Sequence, residues 1–363
     1  MKYLIFRNDG IGDFINTTPL IKKIIENDED HKIFLVASSR NYEYVRLFKQ
    51  IDKIEKLDEK PTLNEIIKLF AKIIKFKPDY SIVLKPKYYN YFLSRFSKSK
   101  KKLGLKVITD ARNKKFNKTK PHQILINFLM NEYETIDYSN NCKNDQTHHS
   151  IHFTRIISSI FNVEKVNFIN QIEYLKPEIK NASDYLVNDL KLKNLNHPFI
   201  LLHIDEKWND VNWSIEDFIN FFSVLRDRTK KNIIITEGII RTKFYISLLE
   251  KYKFEQSFDY SGSSFKVFDN GVFKTIFVTS PSIKLLTTIL SRSDLVIELH
   301  GALTHISSTF NIPVIDLCKV DYVNYFKKWK PISSKSIQIA HSDKDTVIEE
   351  INNFLIKNDL GQT

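Results

Sequence analysis

Cysteine and long apolar runs are scarce in this sequence. Only two cysteines occur, Cys142 and Cys318, and they lie far apart. This spacing argues against a disulfide framework or a zinc site, and it fits a reducing compartment. No stretch approaches the roughly 20 apolar residues of a membrane span. Met1-Lys2 leads directly into an apolar run, without the regions of a signal peptide. We therefore expect a cytoplasmic protein.

Two common nucleotide-binding motifs are also missing. No G-x-G-x-x-G follows a predicted strand, and no Walker A lysine motif occurs, which disfavours doubly wound oxidoreductases and nucleoside triphosphatases. The net charge of +12 is compatible with nucleic acid, an anionic membrane or phosphorylated substrates. Because zinc-finger spacing, an RNA-recognition signature and a sustained basic helix are all lacking, nucleic acid is not the expected partner.

Apolar segments alternate between strand and helix patterns through both halves of the chain. This alternation predicts an α/β protein with two Rossmann-like, doubly wound domains of parallel strands. The halves meet near residues 173–180, so we expect domains at 1–175 and 176–345, followed by a helix and tail at 346–363. Within this scheme residues 40–48 are predicted as a helix, and residues 134–149 show no regular pattern.

The most informative stretch is residues 6–19, FRNDGIGDFINTTP. It follows an apolar strand and precedes an amphipathic helix, for which Thr18 is the predicted N-cap and Pro19 the first residue. Asp13 then lies at the carboxyl end of the strand, where open α/β sheets bind ligands. An aspartate that only caps the turn is the simpler alternative.

The string R-x-D-x-I-G-D-x-x-x-T-T-P resembles the opening of the ADP-heptose:lipopolysaccharide heptosyltransferase family, glycosyltransferase family 9. The resemblance implies the GT-B architecture, with two Rossmann-like domains facing across a cleft. It also implies that Asp13 is the general base for an acceptor hydroxyl and that Gly12 lies against the donor. We assign Thr17, Thr18, Lys85 and Lys87 to acceptor binding.

Residues 293–308, SDLVIELHGALTHISS, form a second strand–turn–helix pattern. A small-residue turn before a helix directs backbone N–H groups at an anion, such as the diphosphate of a sugar nucleotide. The stretch resembles the family's D-T-G-x-x-H, with His300, Gly301 and Ala302 replacing its first three residues. The predicted donor-binding residues here are His300, Gly301, Ala302, Thr304 and His305. The alternative is that the two histidines only pack or lie at the surface.

The loop at 204–214 resembles the family's G-A-x-W-x-x-K-x-W-P, with both tryptophans at the family's spacing. The phosphate-binding lysine of that motif falls on Val211, and Lys207 is the nearest cation that could replace it. We assign Lys207, Trp208 and Asn212 to donor binding. Glu237 and Gly238, after the next predicted strand, occupy the region where the family contacts the nucleoside.

A basic stretch at 98–120 has two interpretations, a solvated loop or a segment that receives a phosphorylated acceptor. On the second interpretation Arg112, Lys114 and Lys115 bind the acceptor.

Taken with the resemblance, these motifs predict an inverting, metal-independent glycosyltransferase. It would transfer heptose or a similar sugar from a nucleotide sugar, ADP-heptose or another, to a lipopolysaccharide-core or related cell-surface glycan. The nucleotide sugar is a substrate, and neither a cofactor nor a metal is expected. The partners are a nucleotide sugar and a phosphorylated, lipid-linked saccharide, with peripheral contact at the cytoplasmic face of the inner membrane. The alternative is a catalytically inactive GT-B protein that binds saccharide or nucleotide.

Overall fold

The computed structural model describes residues 1–107, 125–136, 147–162, 199–320, 327–331, 335–341, 343–358 and 360. The chain divides into two compact units, Met1–Leu175 with Lys327–Trp329, and Lys176–Phe326 with Lys330–Thr363. Arg112, Lys114, Lys115 and the predicted junction at 173–180 lie outside the described residues.

Six parallel strands form the sheet of the first unit, in the order β3-β2-β1-β4-β5-β6. The strands are β1 Lys2–Phe6, β2 Lys32–Ala37, β3 Lys53–Lys56, β4 Tyr80–Val83, β5 Lys101–Val107 and β6 Glu132–Ile136. The helices are α1 Ile11–Ile15, α2 Thr18–Asn27, α3 Tyr42–Val45, α4 Leu63–Phe76, α5 Tyr88–Phe96, α6 Ile126–Leu129 and α7 His149–Arg155. This order is that of a Rossmann fold.

Eight strands form the sheet of the second unit, in the order β14-β13-β12-β7-β8-β11-β10-β9. They are β7 Phe199–Ile204, β8 Asn232–Glu237, β9 Gln256–Tyr260, β10 Ser263–Asp269, β11 Lys274–Thr279, β12 Leu295–Leu299, β13 Val314–Cys318 and β14 Ser336–Ala340. The helices are α8 Ile215–Thr229, α9 Lys243–Lys251, α10 Ile283–Leu290, α11 Ala302–Thr309 and α12 Lys344–Lys357. All strand pairs are parallel except the two that involve β10.

Strand order reverses at one point in each sheet. In the first sheet the reversal lies between β1 and β4, and in the second it lies between β7 and β12. At such a switch point the connections leave in opposite directions, so the carboxyl ends of the two strands flank a crevice where α/β proteins bind ligands. The prediction of two doubly wound parallel sheets is confirmed.

Local signals in the sequence set several helix starts. The Ser214 hydroxyl accepts from the Asp217 amide, and the Asp217 carboxylate accepts from the Ser214 amide. The Ser282 hydroxyl caps α10 by accepting from the Leu285 amide. Thr18, by contrast, is the first residue of α2 and Thr17 is its N-cap, without a side-chain capping bond. The predicted N-cap is therefore wrong by one residue.

Other local predictions need correction. The helix expected at 40–48 is confined to Tyr42–Val45. The stretch at 134–149 includes the end of β6 and the start of α7. The β9–β10 hairpin was missed because its outer strand is largely exposed and carries no strong apolar run. Its turn places Ser261 and Gly262 at positive φ, as a tight hairpin requires.

No helix among the described residues is both long enough and apolar enough to span a membrane.

Candidate functional site

The first candidate site lies at the switch point of the first sheet and is organised by Arg7. This arginine is 2% exposed. Its Nε donates to the Asp13 carbonyl at 2.9 Å, one terminal nitrogen to the Leu84 carbonyl at 2.9 Å, and the other to Asp13 Oδ1 at 3.2 Å. Arg7 therefore ties the loop after β1 to the end of β4, the two sides of the crevice.

Asp13 combines a structural role with an accessible carboxylate. Its Oδ1 accepts from Arg7, and its Oδ2 accepts from the Gly10 amide at 3.1 Å in the first turn of α1. About a third of the side chain remains exposed, at 30%. The carboxylate is thus held in one orientation while part of it faces solvent. These contacts satisfy the capping interpretation without excluding the catalytic one.

Asp9 is a residue of this site that the sequence analysis did not select. It is 4% exposed, and its Oδ2 lies 3.3 Å from Arg7 and 3.6 Å from Lys85 Nζ, while Oδ1 is buried without a hydrogen-bond partner. Burial raises the pKa of Asp9 to about 6, although Arg7 acts in the opposite direction. The R-x-D string directly after β1 was the available signal, because both side chains leave the same strand end.

Among the residues predicted to bind the acceptor, Lys85 reaches the site through its Nζ, which lies 3.6 Å from Asp9 Oδ2. Thr17 and Thr18 are buried, and their hydroxyls donate to the carbonyls of Asp13 and Ile15. Both threonines therefore hold the α1–α2 turn, and their assignment as acceptor contacts is corrected. Lys87 is the N-cap residue of α5. Gly12, predicted to lie against the donor, is part of α1 and half-buried.

Helix α7 packs over this site, although its sequence gave no clear helical pattern. The Phe153 ring lies 4.4 Å from the Arg7 guanidinium carbon, a cation–π contact. Ser150 donates to Asn16 Oδ1 at 3.2 Å, which attaches α7 to the turn after α1. These contacts fix Arg7 from the side opposite the sheet, and only the folded chain brings them together.

The second candidate site lies at the switch point of the second sheet, where Lys207 crosses from one strand end to the other. Its Nζ donates to the carbonyls of Leu299 and His300 at 3.1 and 3.0 Å and pairs with Asp205 at 2.6 Å. A Cβ on Gly301 would collide with this Nζ. Lys207 therefore lies against the turn after β12, where two carbonyl oxygens and the Asp205 carboxylate contact its Nζ and the side chain is 40% exposed. Its assignment to donor binding stays a prediction.

Glu298, which the sequence analysis did not select, lies beneath the same turn. Its Oε1 accepts from the Thr304 amide at 2.9 Å and the Thr304 hydroxyl at 2.8 Å, and its Oε2 is buried without a partner. Burial raises the pKa of Glu298 to about 7, with Lys207 acting in the opposite direction. An internal carboxylate thus occupies part of the α11 N-terminus. Thr304 is fully buried, so its assignment as a direct donor contact is corrected.

His300 leads into the turn and is oriented from below by Asp316. Its Nδ1 lies 2.8 Å from Asp316 Oδ2, which also accepts from Gln338 at 2.7 Å. The Nε2 edge of the ring is thereby directed away from Asp316. His305 is buried on α11 and packs perpendicular to His300, with ring centroids 5.3 Å apart. His305 therefore packs against His300, and the assignment of both histidines to donor binding stays a prediction.

Three potential metal-ligating atoms, from His300, Asp316 and Cys318, lie within 4.8 Å of one another. The Cys318 thiol is 3.7 Å from Asp316 Oδ2, and burial raises its pKa. We interpret the group as a hydrogen-bonded support for His300.

The tryptophan loop is a core element. Trp208 is fully buried, its indole N–H donates to the His203 carbonyl at 3.0 Å, and its ring packs on Phe218. Its assignment as a donor contact is corrected. Val211, at the position of the family's lysine, is an uncharged side chain that is also buried. Asn212 is exposed.

Glu237 and Gly238 follow β8 at the same edge of the sheet. Both Glu237 oxygens pair with Arg241, at 2.6 and 3.1 Å, and one also accepts from the Ser280 amide. A Cβ on Gly238 would lie 2.7 Å from the Asp205 Cβ. Gly238 is thus required for close packing of the loops after β7 and β8, and the nucleoside contact at Glu237 stays a prediction.

The raised pKa of Glu298 predicts a pH dependence of stability. A carboxyl group whose folded pKa exceeds its unfolded value stabilises the fold in full below the unfolded pKa, and this contribution is lost as the pH rises through the folded pKa. For Glu298 this pH window runs from about 4.5 to about 7, and the unfolding free energy changes by about 3 kcal/mol across it. We expect Glu298→Gln, which keeps an acceptor for Thr304, to flatten the unfolding free energy across this window.

Denaturant titrations at several pH values, read by tryptophan fluorescence, measure this effect. Trp208 and Trp213 belong to the core of the second unit, so a Trp329→Phe background restricts the signal to that unit. Glu216→Gln, an exposed carboxylate on α8, controls for the loss of one charge. Identical pH slopes for Glu298→Gln and the parent protein would show that Glu298 does not titrate in this window.

These features define a class of fold. Two doubly wound units, each with its functional motif at the switch point of a parallel sheet, form the GT-B fold predicted from the sequence. Comparison of the sequence with family models and with curated proteins finds no match.

Solved structures share the fold across the whole chain. The Escherichia coli ADP-heptose lipopolysaccharide heptosyltransferase II superposes with a TM-score of 0.69 at 13% identity, covering 99% of this chain and 100% of that one. A glycosyltransferase of family 9 from Veillonella parvula gives 0.71 at 14% identity, covering 98% and 97%. A UDP-GlcNAc 2-epimerase from Methanocaldococcus jannaschii gives 0.58 at 12% identity, covering 100% and 95%. Because proteins of different activity share this fold, function has to be argued from the sites.

Proposed function

We propose that this protein is a glycosyltransferase that moves a sugar from a nucleotide sugar to a saccharide acceptor, with inversion and without a metal. The observation that carries the proposal is the Asp13 carboxylate, fixed by Arg7 and the Gly10 amide at a switch point and still partly exposed. A general base needs this combination, because its carboxylate has to be held in a fixed orientation and still be accessible to the hydroxyl whose proton it accepts.

In the proposed reaction an acceptor hydroxyl loses its proton to Asp13 as its oxygen bonds to the anomeric carbon. The bond from that carbon to the diphosphate oxygen breaks, and the electron pair leaves with the diphosphate. Attack from the face opposite the leaving group inverts the anomeric centre. Lys85, linked to Asp13 through Asp9 and Arg7, supplies positive charge for a phosphorylated acceptor.

On the donor side, the leaving diphosphate would be stabilised at the turn before α11. The Thr304 amide already bonds Glu298, so the amides of Ala302 and Leu303 are the groups of the first helical turn that we assign to phosphate. The ammonium group of Lys207 lies directly beneath Gly301 and supplies positive charge to the same turn. Fixed groups of this kind stabilise charge that develops in the transition state.

For the substrates, the heptosyltransferase named above suggests ADP-heptose as the first donor to test. We propose a phosphorylated, lipid-linked saccharide of lipopolysaccharide-core type as acceptor, and a location at the cytoplasmic face of the inner membrane. The net charge of +12 supports anionic partners of both kinds.

A second candidate function is a catalytically inactive GT-B protein that binds saccharide or nucleotide. Two observations favour it. Val211 is buried where the family's loop carries its phosphate-binding lysine, and Glu298 occupies part of the α11 N-terminus. Both changes concern the donor site, whereas the Asp13 site is intact.

A thermal-shift panel of ADP-, GDP-, UDP- and CMP-sugars, followed by transfer assays with the stabilising donor, tests the proposal. A ligand at a hundredfold excess over its Kd stabilises the native state by about 2.7 kcal/mol. Stabilisation by one nucleotide class together with transfer supports the glycosyltransferase. Stabilisation without transfer to any acceptor supports the binding protein, and a lack of stabilisation by all four classes contradicts both.

Gly301→Val provides a prediction for the donor site. The added Cβ would lie 2.8 Å from Glu298 Oε1 and 3.2 Å from the Leu299 carbonyl, besides its collision with Lys207. We expect at least a tenfold loss of nucleotide-sugar affinity by calorimetry, since one lost charge-assisted contact is worth about 1.5–3 kcal/mol. Gly301→Ala adds the same Cβ contacts but not the two further methyl groups of valine, so it should lose less affinity. Unchanged affinity in a folded Gly301→Val variant would place the donor elsewhere.

A further inference from the structure

Helices α4 and α5 of the first unit carry large apolar side chains on an exposed surface. Tyr88, Phe92 and Phe96 follow one another at four-residue spacing along α5 and are 53%, 45% and 60% exposed. Leu63 and Ile67, at the same spacing on α4, are 72% and 57% exposed. We call these five residues the α4–α5 face. A groove of about 430 Å³ runs between the two helices and is lined only by aliphatic and aromatic side chains.

The exposed residues of this face are not needed to hold α4 on its sheet. Leu69 and Ile73 of α4 are buried in the core of the first unit, and Ile66 and Phe70 pack against that core from its edge. On α5, Tyr91 and Leu93 have the same role. Phe92 and Phe96 instead stack on each other at 6.5 Å, on the outside. A contiguous exposed apolar patch on a folded unit indicates a binding surface.

The charge around the face identifies the kind of partner. Residues 63–102 contain ten lysines and one arginine, against Glu65 and Asp79. Four of these lysines form ion pairs, Lys72 with Glu55, Lys85 with Asp9 and Glu59, Lys100 with Asp79 and Lys101 with Glu132, so the remaining basic residues carry the excess charge. Lys68 and Lys75 on α4 and Arg95 on α5 are exposed beside the apolar side chains. A second copy of the chain would bring the same positive charge against this face. An anionic surface is complementary to it, and lipid headgroups combine negative charge with an apolar interior.

We propose that the α4–α5 face docks on the anionic surface of a lipid bilayer, with Phe92, Phe96 and Tyr88 inserted among the headgroups and Lys68, Lys75 and Arg95 against lipid phosphates. Apolar insertion combined with basic flanks is the mode by which peripheral helices bind anionic membranes. The first residue of α5, Tyr88, follows Lys85 of the Asp13 site by three residues in the loop after β4. Docking would hold a lipid-linked molecule beside that loop, but the proposal does not depend on transferase activity.

The test is flotation of the full chain with vesicles of phosphatidylcholine alone and of phosphatidylcholine mixed with phosphatidylglycerol in equal parts. We expect binding to the mixed vesicles and little binding to the neutral ones. Phe92→Ser with Phe96→Ser should lower the partition coefficient at least about tenfold, because two exposed phenyl groups lose their apolar transfer. Lys68→Gln with Lys75→Gln should lower it about fivefold per lysine at low salt and less at high salt.

Val272→Ser with Ile356→Ser, two exposed apolar residues of the second unit, is the matched control and should bind as the parent protein does. Equal flotation of the Phe92/Phe96 variant and the control would overturn the proposal. Failure of the parent protein to float with anionic vesicles would also overturn it. The same holds if sedimentation velocity shows that the parent protein is a dimer and that Phe92→Ser with Phe96→Ser abolishes the dimer. No nucleotide sugar is present in these assays, so their result is separate from the test of transfer.

Discussion

Asp13→Asn is expected to fold, to bind donor and to lose at least about 100-fold in transfer rate. Positioned general bases contribute on the order of 10²–10⁴-fold, and an amide cannot accept the proton at neutral pH. The two carboxylate oxygens bond different donors, Arg7 and the Gly10 amide, so asparagine can keep only one of these bonds. A stability loss of about 1 kcal/mol should therefore accompany the catalytic loss.

The experiment compares steady-state transfer, donor affinity and unfolding free energy for the same three proteins. These are the parent, Asp13→Asn, and Asp30→Asn, an exposed carboxylate between α2 and β2 of the same unit. Only the first substitution should lower transfer. If Asp13→Asn transfers at nearly the parent rate, Asp13 is a capping residue and the base lies elsewhere. If the parent transfers no sugar from any donor, the binding-protein alternative is favoured.

Lys207→Met is expected to destabilise the second unit by about 1–3 kcal/mol near pH 8, less than the roughly 3–5 kcal/mol of a fully buried pair, because Glu298 is buried but the Lys207 side chain is 40% exposed. Glu298 would then remain buried without its cation, and the carbonyls of Leu299 and His300 would lose their donor. Burial alone would lower the pKa of Lys207, but Glu298 and Asp205 raise it, so the lysine is charged in this window. The loss should shrink as the pH falls below about 7, since Glu298 then takes up a proton.

A double-mutant cycle with Glu298→Gln isolates the pair. The double variant should recover part of the loss near pH 8, because no unpaired charge remains buried. Lys319→Met is the matched control, since Lys319 pairs with Asp210 at 2.8 Å where both side chains are about half exposed. Such exposed pairs contribute about 0–1 kcal/mol. Equal losses for Lys207→Met and Lys319→Met, or additive effects in the cycle, would show that Lys207 does not neutralise Glu298.

The behaviour of single residues shows which inferences a sequence supports. Asp13, Lys207 and Gly301 were selected from short strings and lie at the predicted strand ends, because strand-to-helix turns are local structures. Trp208, Thr17, Thr18 and Thr304 were selected from the same strings and proved to be buried. A motif retains residues that hold its backbone as well as residues that touch a ligand, and spacing alone does not distinguish them.

The sequence by itself determined the alternation of strands and helices, the two doubly wound sheets and the position of Asp13 after β1. The spacing of apolar residues and the residue types at turns and helix ends act over a few residues, so both can be read directly from the sequence. Only the tertiary structure decided that Lys85 approaches Asp9, that Phe153 covers Arg7, and that Glu298 occupies the α11 N-terminus. Those contacts join residues that are distant in the chain or lie on opposite sides of a turn. Burial then shifts the pKa values of the buried carboxyl groups, and burial depends on how the sheet and its helices pack.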